Sequence, residues 1–189
     1  MSRFFAILFI TLGLTVAVRA QEHTRRPPST PTPAPRNNVD DGGWVRFNSE
    51  LGRFTVLMPE IPTDKTETTQ SEHGPYTTHL FVVRDTKNVY LIGWVDYDPS
   101  FNFNRQSELD ANRDNFVKGI SATLVSSRPL KIDGYQAIEF TAETTDRIFR
   151  SRVYMVGRRP YQIVVGLPKD DDDAGTVARF FNSFKVRAY

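Results

Sequence analysis

The nine residues 89–97, VYLIGWVDY, constrain the fold of this chain more than any other segment. In an extended strand successive side chains point to opposite faces. Val89, Leu91, Val95 and Tyr97 then fall on one side, and Tyr90, Ile92 and Trp94 on the other. A strand apolar on both faces needs a covering layer above and below. Elsewhere the chain offers short apolar alternations between turn signals, which read as antiparallel strands, and two helical segments, one for each face. The expected class is therefore α+β: an α/β/α sandwich with a mainly antiparallel sheet.

Strands are expected over 44–48, 52–58, 65–70, 76–84, 89–97, 122–132, 135–143, 147–156 and 161–167. The first helix is read over 105–119, with Asn104 as its cap and Leu109, Phe116, Val117 and Ile120 as a narrow apolar stripe. The second begins within 170–173 and carries Val177, Phe180, Phe181 and Phe184 at spacings of three and four. A two-residue turn at Thr145 and Asp146 sets a hairpin register that pairs Ile138 with Val153, Ala142 with Phe149, and Glu139 with Arg152. The apolar pairs share one face, and Glu139 and Arg152 are expected to form a structural ion pair on the other.

The rest of the chain serves a different purpose. Residues 1–20 have the layout of a secretory signal: Arg3, an apolar run over 4–18, and Val18-Arg19-Ala20 as the cleavage pattern, with cleavage expected before Gln21. The rival is an uncleaved membrane anchor, but fifteen helical residues reach only about 22 Å against a hydrocarbon core of about 30 Å. Residues 21–43 hold five prolines and no aromatic residue, and read as a disordered tether. One domain remains, 44–189, large enough to bury a core without metal or disulfides. It has no cysteine to form them. Setting aside Arg3 and Arg19 leaves 22 basic against 22 acidic residues, without the basic excess by which proteins hold nucleic acid. The expectation is an exported protein of the periplasm or extracellular space, with no nucleic-acid partner and no stable membrane insertion after cleavage.

Chemistry is sparse. There is no G-x-S-x-G elbow, and the domain holds only two histidines, His73 in a turn and His79 in a strand. A metal site wants three or four good ligands, so no metal and no cofactor is expected. Asp170, Asp171, Asp172 and Asp173, followed by Gly175, resemble a calcium loop, but position five is Ala174 and position twelve Phe181. Carboxylates at a helix start are otherwise accounted for by the free backbone N–H groups and the dipole there. Phe101 and Phe103, in the loop before the first helix, are either anchors for a partner or rings packed beneath that helix.

The segments Trp44 to Ser49, Gly52 to Pro59 with Pro62, Arg152 to Gly157, Tyr161 to Val165, and Phe180 to Phe184 resemble those of small exported bacterial proteins with a PsbP-like α/β/α sandwich. The resemblance implies architecture. Better-known members of that group are non-catalytic, one supporting the oxygen-evolving complex of photosystem II and one binding a small GTPase, and none of their contact residues maps onto this chain. The functional expectation is a non-catalytic binding or accessory module acting through a protein partner or envelope component. The alternatives are a carrier of a small apolar ligand lined by Trp94, Tyr154 and Phe181, and, more remotely, a hydrolase built on two carboxylates about 5–9.5 Å apart.

Overall fold

The computed structural model describes residues 42–102, 104–171 and 173–187. The expected signal segment and nearly all of the tether lie outside the described residues. In chain order the elements are β1 (Val45–Ser49), β2 (Phe54–Met58), β3 (Thr63–Ser71), β4 (Gly74–Arg84), β5 (Val89–Tyr97), α1 (Arg105–Gly119), β6 (Thr123–Ile132), β7 (Tyr135–Glu143), β8 (Arg147–Val156), β9 (Arg159–Pro168), α2 (Ala174–Ser183) and β10 (Lys185–Val186).

Seven strands form one antiparallel sheet in the order β3-β4-β5-β9-β8-β7-β6. β5 and β9 lie near its centre, as two-sided apolar strands must, and both are buried along nearly their whole length. The hairpin register read from the turn holds: Ile138 pairs with Val153, Glu139 with Arg152 and Ala142 with Phe149, and the Thr144 N–H donates to Arg147 C=O at 3.0 Å across the two-residue turn.

Alternation along these strands divides the interior into two. On one face Val89, Leu91, Ile138, Phe140, Phe149, Val153 and Val164 meet Leu109 and Phe116 of α1. On the other face Tyr90, Ile92, Trp94, Tyr161, Ile163 and Val165 meet Phe180, Phe181 and Phe184. Asn104 caps α1 by accepting from the Gln106 and Ser107 N–H groups, and Asp173 caps α2 by accepting from the Thr176 N–H.

The second face departs from a simple α/β/α sandwich. A ten-residue helix is too short to cover it, and β1, β2 and β10 form a separate three-stranded sheet that lies on it beside α2. Phe54 of β2 is fully buried there, with ring centroids 5.8 Å from Trp94, 5.3 Å from Phe184 and 6.4 Å from Tyr161. The protein is more strand-rich than the sequence pattern suggests. β10, only two residues long, forms because it pairs with β2. No helix among the described residues is long and apolar enough to cross a membrane.

Candidate functional site

One end of the main sheet carries a connected set of polar side chains in an aromatic setting. Strand register builds it: Thr66 of β3, His79 of β4, Trp94 of β5, Tyr161 of β9 and Tyr154 of β8 stand opposite one another in a row across five strands. The His79 and Trp94 rings stack at 4.4 Å with planes 10° apart, and Trp94 stacks on Tyr161 at 6.4 Å. Two residues further along their strands, and so on the same face, come Asp96 and Arg159.

Asp96 is the centre of this set. Its Oδ1 accepts from Arg159 Nε and Nη2, each at 2.6 Å. Its Oδ2 accepts from Trp94 Nε1 at 3.2 Å and lies 3.3 Å from His79 Nε2. A carboxylate can only accept, so His79 holds its proton on Nε2, leaving Nδ1 to accept from the Thr66 hydroxyl at 3.1 Å. Burial pulls the His79 pKa below its ordinary 6.5, aided by the Arg159 charge and opposed by Asp96, so the ring is neutral near pH 7. Arg159 also donates to Leu51 C=O at 3.1 Å, and the Tyr161 hydroxyl donates to Gly52 C=O at 3.0 Å. These bonds clasp the β1–β2 loop onto the sheet. Gly52 permits the close fit, since a Cβ there would stand 2.5 Å from the Phe54 ring and 2.7 Å from Ser49 Oγ.

Beside this set opens a cleft of about 300 Å³ lined by Val95, Asp96, Tyr97, Pro99, Arg158 and Arg159. Its rim is held in shape: Arg158 donates to the C=O groups of Asp98 and Phe101, and the Asp98 N–H donates to Pro75 C=O at 3.1 Å. Behind the rim the Tyr97 hydroxyl donates to Glu108, which also accepts from Asn112 Nδ2 at 2.8 Å. Glu108 is only 3% exposed, and burial raises its pKa above the usual carboxylate value in spite of both hydrogen bonds. The narrow apolar stripe read for α1 omitted this: Glu108 and Asn112 are buried alongside Leu109 and Phe116.

The residues singled out from the sequence are dispersed. Phe101 is buried, stacked on Tyr97 at 4.6 Å and edge-on to His73 at 5.6 Å, so it is not an exposed anchor; Phe103 lies outside the described residues. Asp171 accepts from Lys87 Nζ at 2.7 Å, Asp173 is the α2 cap, Asp170 is exposed in the preceding turn, and Asp172 lies outside the described residues. No group of three potential metal ligands occurs among the described residues. Glu139 sits between Arg152, with Nε 2.6 Å from Oε2, and Arg128, with Nε 3.1 Å from Oε1. Burial pushes the Glu139 pKa up, but the two guanidinium groups together hold it below the carboxylate norm. His73 lies in the turn before β4, six residues ahead of His79 and about 20 Å from it along extended backbone. Trp94, Tyr154 and Phe181 fill the interior, and the cavity between the main sheet and α1 measures about 10 Å³, scarcely room for one water.

Sequence pattern alone does not reveal the Asp96–Arg159–His79 set. The alternation of Trp94 with Asp96 and of Arg159 with Tyr161 was visible in the chain, but only the pairing of β5 with β9 brings the two together.

Two covered faces on an antiparallel seven-stranded sheet are the architecture, and by structural comparison the fold is PsbP-like. The chain is similar to the solution structure of cyanobacterial PsbP (CyanoP) from Synechocystis sp. PCC 6803, with a TM-score of 0.56 and 11% sequence identity over 82% of this chain and 99% of that one. A crystal structure from Bacteroides thetaiotaomicron is similar at a TM-score of 0.37 and 16% identity, over 75% of this chain and 48% of that one. No protein-family model matches the sequence, and no curated protein matches it.

Proposed function

We propose that this chain is an exported, non-catalytic binding or accessory module that docks a protein partner or envelope component in the cleft between Tyr97, Pro99 and Arg158. The observation that carries this reading is the state of the polar groups around the cleft. Asp96, the sole carboxylate among its lining residues, is bonded to Arg159 and Trp94 and faces a neutral His79 whose other nitrogen is also engaged. His79 and Thr66 are not among the lining residues, so within the cleft the bonded Asp96 supplies a rigid, shaped surface in place of a poised acid. A carboxylate-based hydrolase of the glycosidase type needs two carboxylates facing one substrate, and the cleft lining presents one. The PsbP-like fold is compatible with an accessory role, although a shared fold alone does not confer function.

The test compares two baits. The full chain and its Pro99→Arg variant are immobilised and exposed to envelope extract, and the retained proteins are identified by mass spectrometry. Pro99 is exposed at the cleft rim, so the arginine blocks the opening without entering the core. A component held by the wild-type chain and lost at least tenfold by the variant supports the proposal. Equal retention by both baits sets it aside.

A further inference from the structure

The main sheet ends in two edge strands of different character. β6 is defended: its register with β7 shifts between Leu124 and Ser126, leaving a bulge at Val125, and Pro129 interrupts its row of N–H donors. β3 has neither device. All nine of its residues stay in unbroken register with β4, it contains no proline, and its side chains are exposed from Thr63 to Thr68. Strand propensity is high, with four threonines among the nine residues, so the edge is straight and regular.

The turn determines which backbone groups face outward. Glu72 and His73 form a two-residue turn closed by the pair Ser71 and Gly74. In such a hairpin the closing pair is hydrogen-bonded and bonded pairs alternate with unbonded ones. Ser71, Thr69, Glu67, Lys65 and Thr63 therefore bond to β4, while Gln70, Thr68, Thr66 and Asp64 direct N–H and C=O away from the sheet. The partner of Gln70 is Pro75, which has no N–H to donate, as an unbonded pair requires.

We propose that this edge pairs antiparallel with β3 of a second copy of the chain, centred on Thr66, joining two seven-stranded sheets into one continuous sheet. An antiparallel pair about a two-fold axis must set outward-facing residues opposite outward-facing residues, so the axis passes through a residue and not between two. Charge then selects which residue. An axis at Asp64, Lys65 or Glu67 sets that residue against its own copy, opposing like charges. An axis at Thr68 pairs Lys65 with Ser71 and Glu67 with Thr69, with no attraction. An axis at Thr66 sets Lys65 opposite Glu67 of the second copy twice, in the unbonded pairs where side chains approach most closely. Lys65 and Glu67 are exposed and lie 3.4 Å apart within one strand, ready to exchange partners across the axis. Seven residue pairs make a small interface, so the dimer is weak, with a dissociation constant on the order of 100 µM. This edge is separate from the cleft, and the inference does not depend on the function proposed for it.

Sedimentation velocity on the full chain, from about 10 µM to about 1 mM, tests the proposal. The wild type shows concentration-dependent dimerisation. Lys65→Glu places two glutamates opposite each other at both sites and weakens association by about tenfold or more. The double variant Lys65→Glu with Glu67→Lys restores it, which also controls for misfolding. Because the chain has no cysteine, the register can be read directly: oxidised Thr66→Cys links copy to copy, whereas Thr69→Cys, which would face Thr63 of the second copy, does not. A wild type that stays monomeric throughout overturns the proposal, as does association indifferent to Lys65→Glu. Equal cross-linking of both cysteine variants overturns it too, and so does the β3 edge pairing with some other protein in place of a second copy.

Discussion

On its α2 side the main sheet is covered by rings: Trp94, Tyr90 and Tyr161 meet Phe54, Phe180, Phe181 and Phe184 in a web of tilted and edge-on contacts. On its α1 side the cover is mainly aliphatic, and it includes a buried carboxyl, Glu108, held by Tyr97 and Asn112. The first face unites a small sheet, a short helix and Phe184 just after it into one aromatic layer. The second rests on a single helix of fifteen residues with polar groups in its buried stripe. Rings bury large areas with few rotatable bonds, whereas a buried carboxyl must be desolvated and partnered. The α2 face should therefore carry most of the stability, and the α1 face most of the response to pH.

The largest expected effect is at the junction of the aromatic layer. Phe54→Ala should cost about 3–5 kcal/mol, because the ring contacts β4, β5, β9 and the residue after α2 and cannot be replaced by local collapse. Leu109→Ala on the α1 side should cost about 2–3 kcal/mol, since one helix can settle inward. Urea unfolding of the two variants checks the order, and a larger loss for Leu109→Ala would overturn the comparison.

Next comes the polar clasp. Arg159→Ala removes both Nε and Nη2 from Asp96 and releases the β1–β2 loop, and should cost about 2–3 kcal/mol. Loss of the Arg159 charge also raises the His79 pKa, which NMR titration of the imidazole would detect. Arg159→Lys should rescue little, because one ammonium cannot reproduce the fork onto Asp96.

The smallest effect has a pH-dependent size. The Glu108 pKa is raised in the folded chain, so its contribution to stability is complete below its ordinary value of 4.5 and is lost as pH rises through the folded pKa. Glu108→Gln should accordingly be more stable than wild type near pH 8, with the difference closing toward pH 4. His79, on the other face, works in the opposite sense: its pKa is lowered, so its contribution is present above 6.5 and is lost as pH falls toward the folded value. Unfolding free energies across pH 4–8 would separate the two, and a constant offset between wild type and Glu108→Gln would contradict the assignment.

Much of the fold was legible because it rests on local rules. The alternation in residues 89–97, the cap at Asn104, the three-and-four spacing of Phe180, Phe181 and Phe184, and the turn at Thr145 and Asp146 each predict a feature found in the structure. The turn performs best, since two residues of known geometry dictate the register of the eight pairs from Gln136 to Glu143. The candidate site was far less legible. Nothing in the spacing between Asp96 and Arg159 shows that their strands are neighbours. Phe101 looks the same in sequence whether its ring is exposed or buried. The burial of Glu108 and Asn112 runs against the hydrophobic stripe on which helix reading depends.

The sequence by itself determined which residues extend, which coil, and that the central strand must be covered on both faces, because these depend on neighbours within a few positions. Only the tertiary structure decided that the β1–β2 hairpin lies across the sheet and does not extend it, that Asp96 meets Arg159 and His79, and that one sheet edge is defended and the other open. Those outcomes depend on which distant strands pair and on which uncovered surface remains for the last elements to fill. Contacts at such separations follow from the packing of the whole chain and leave no periodic trace in it.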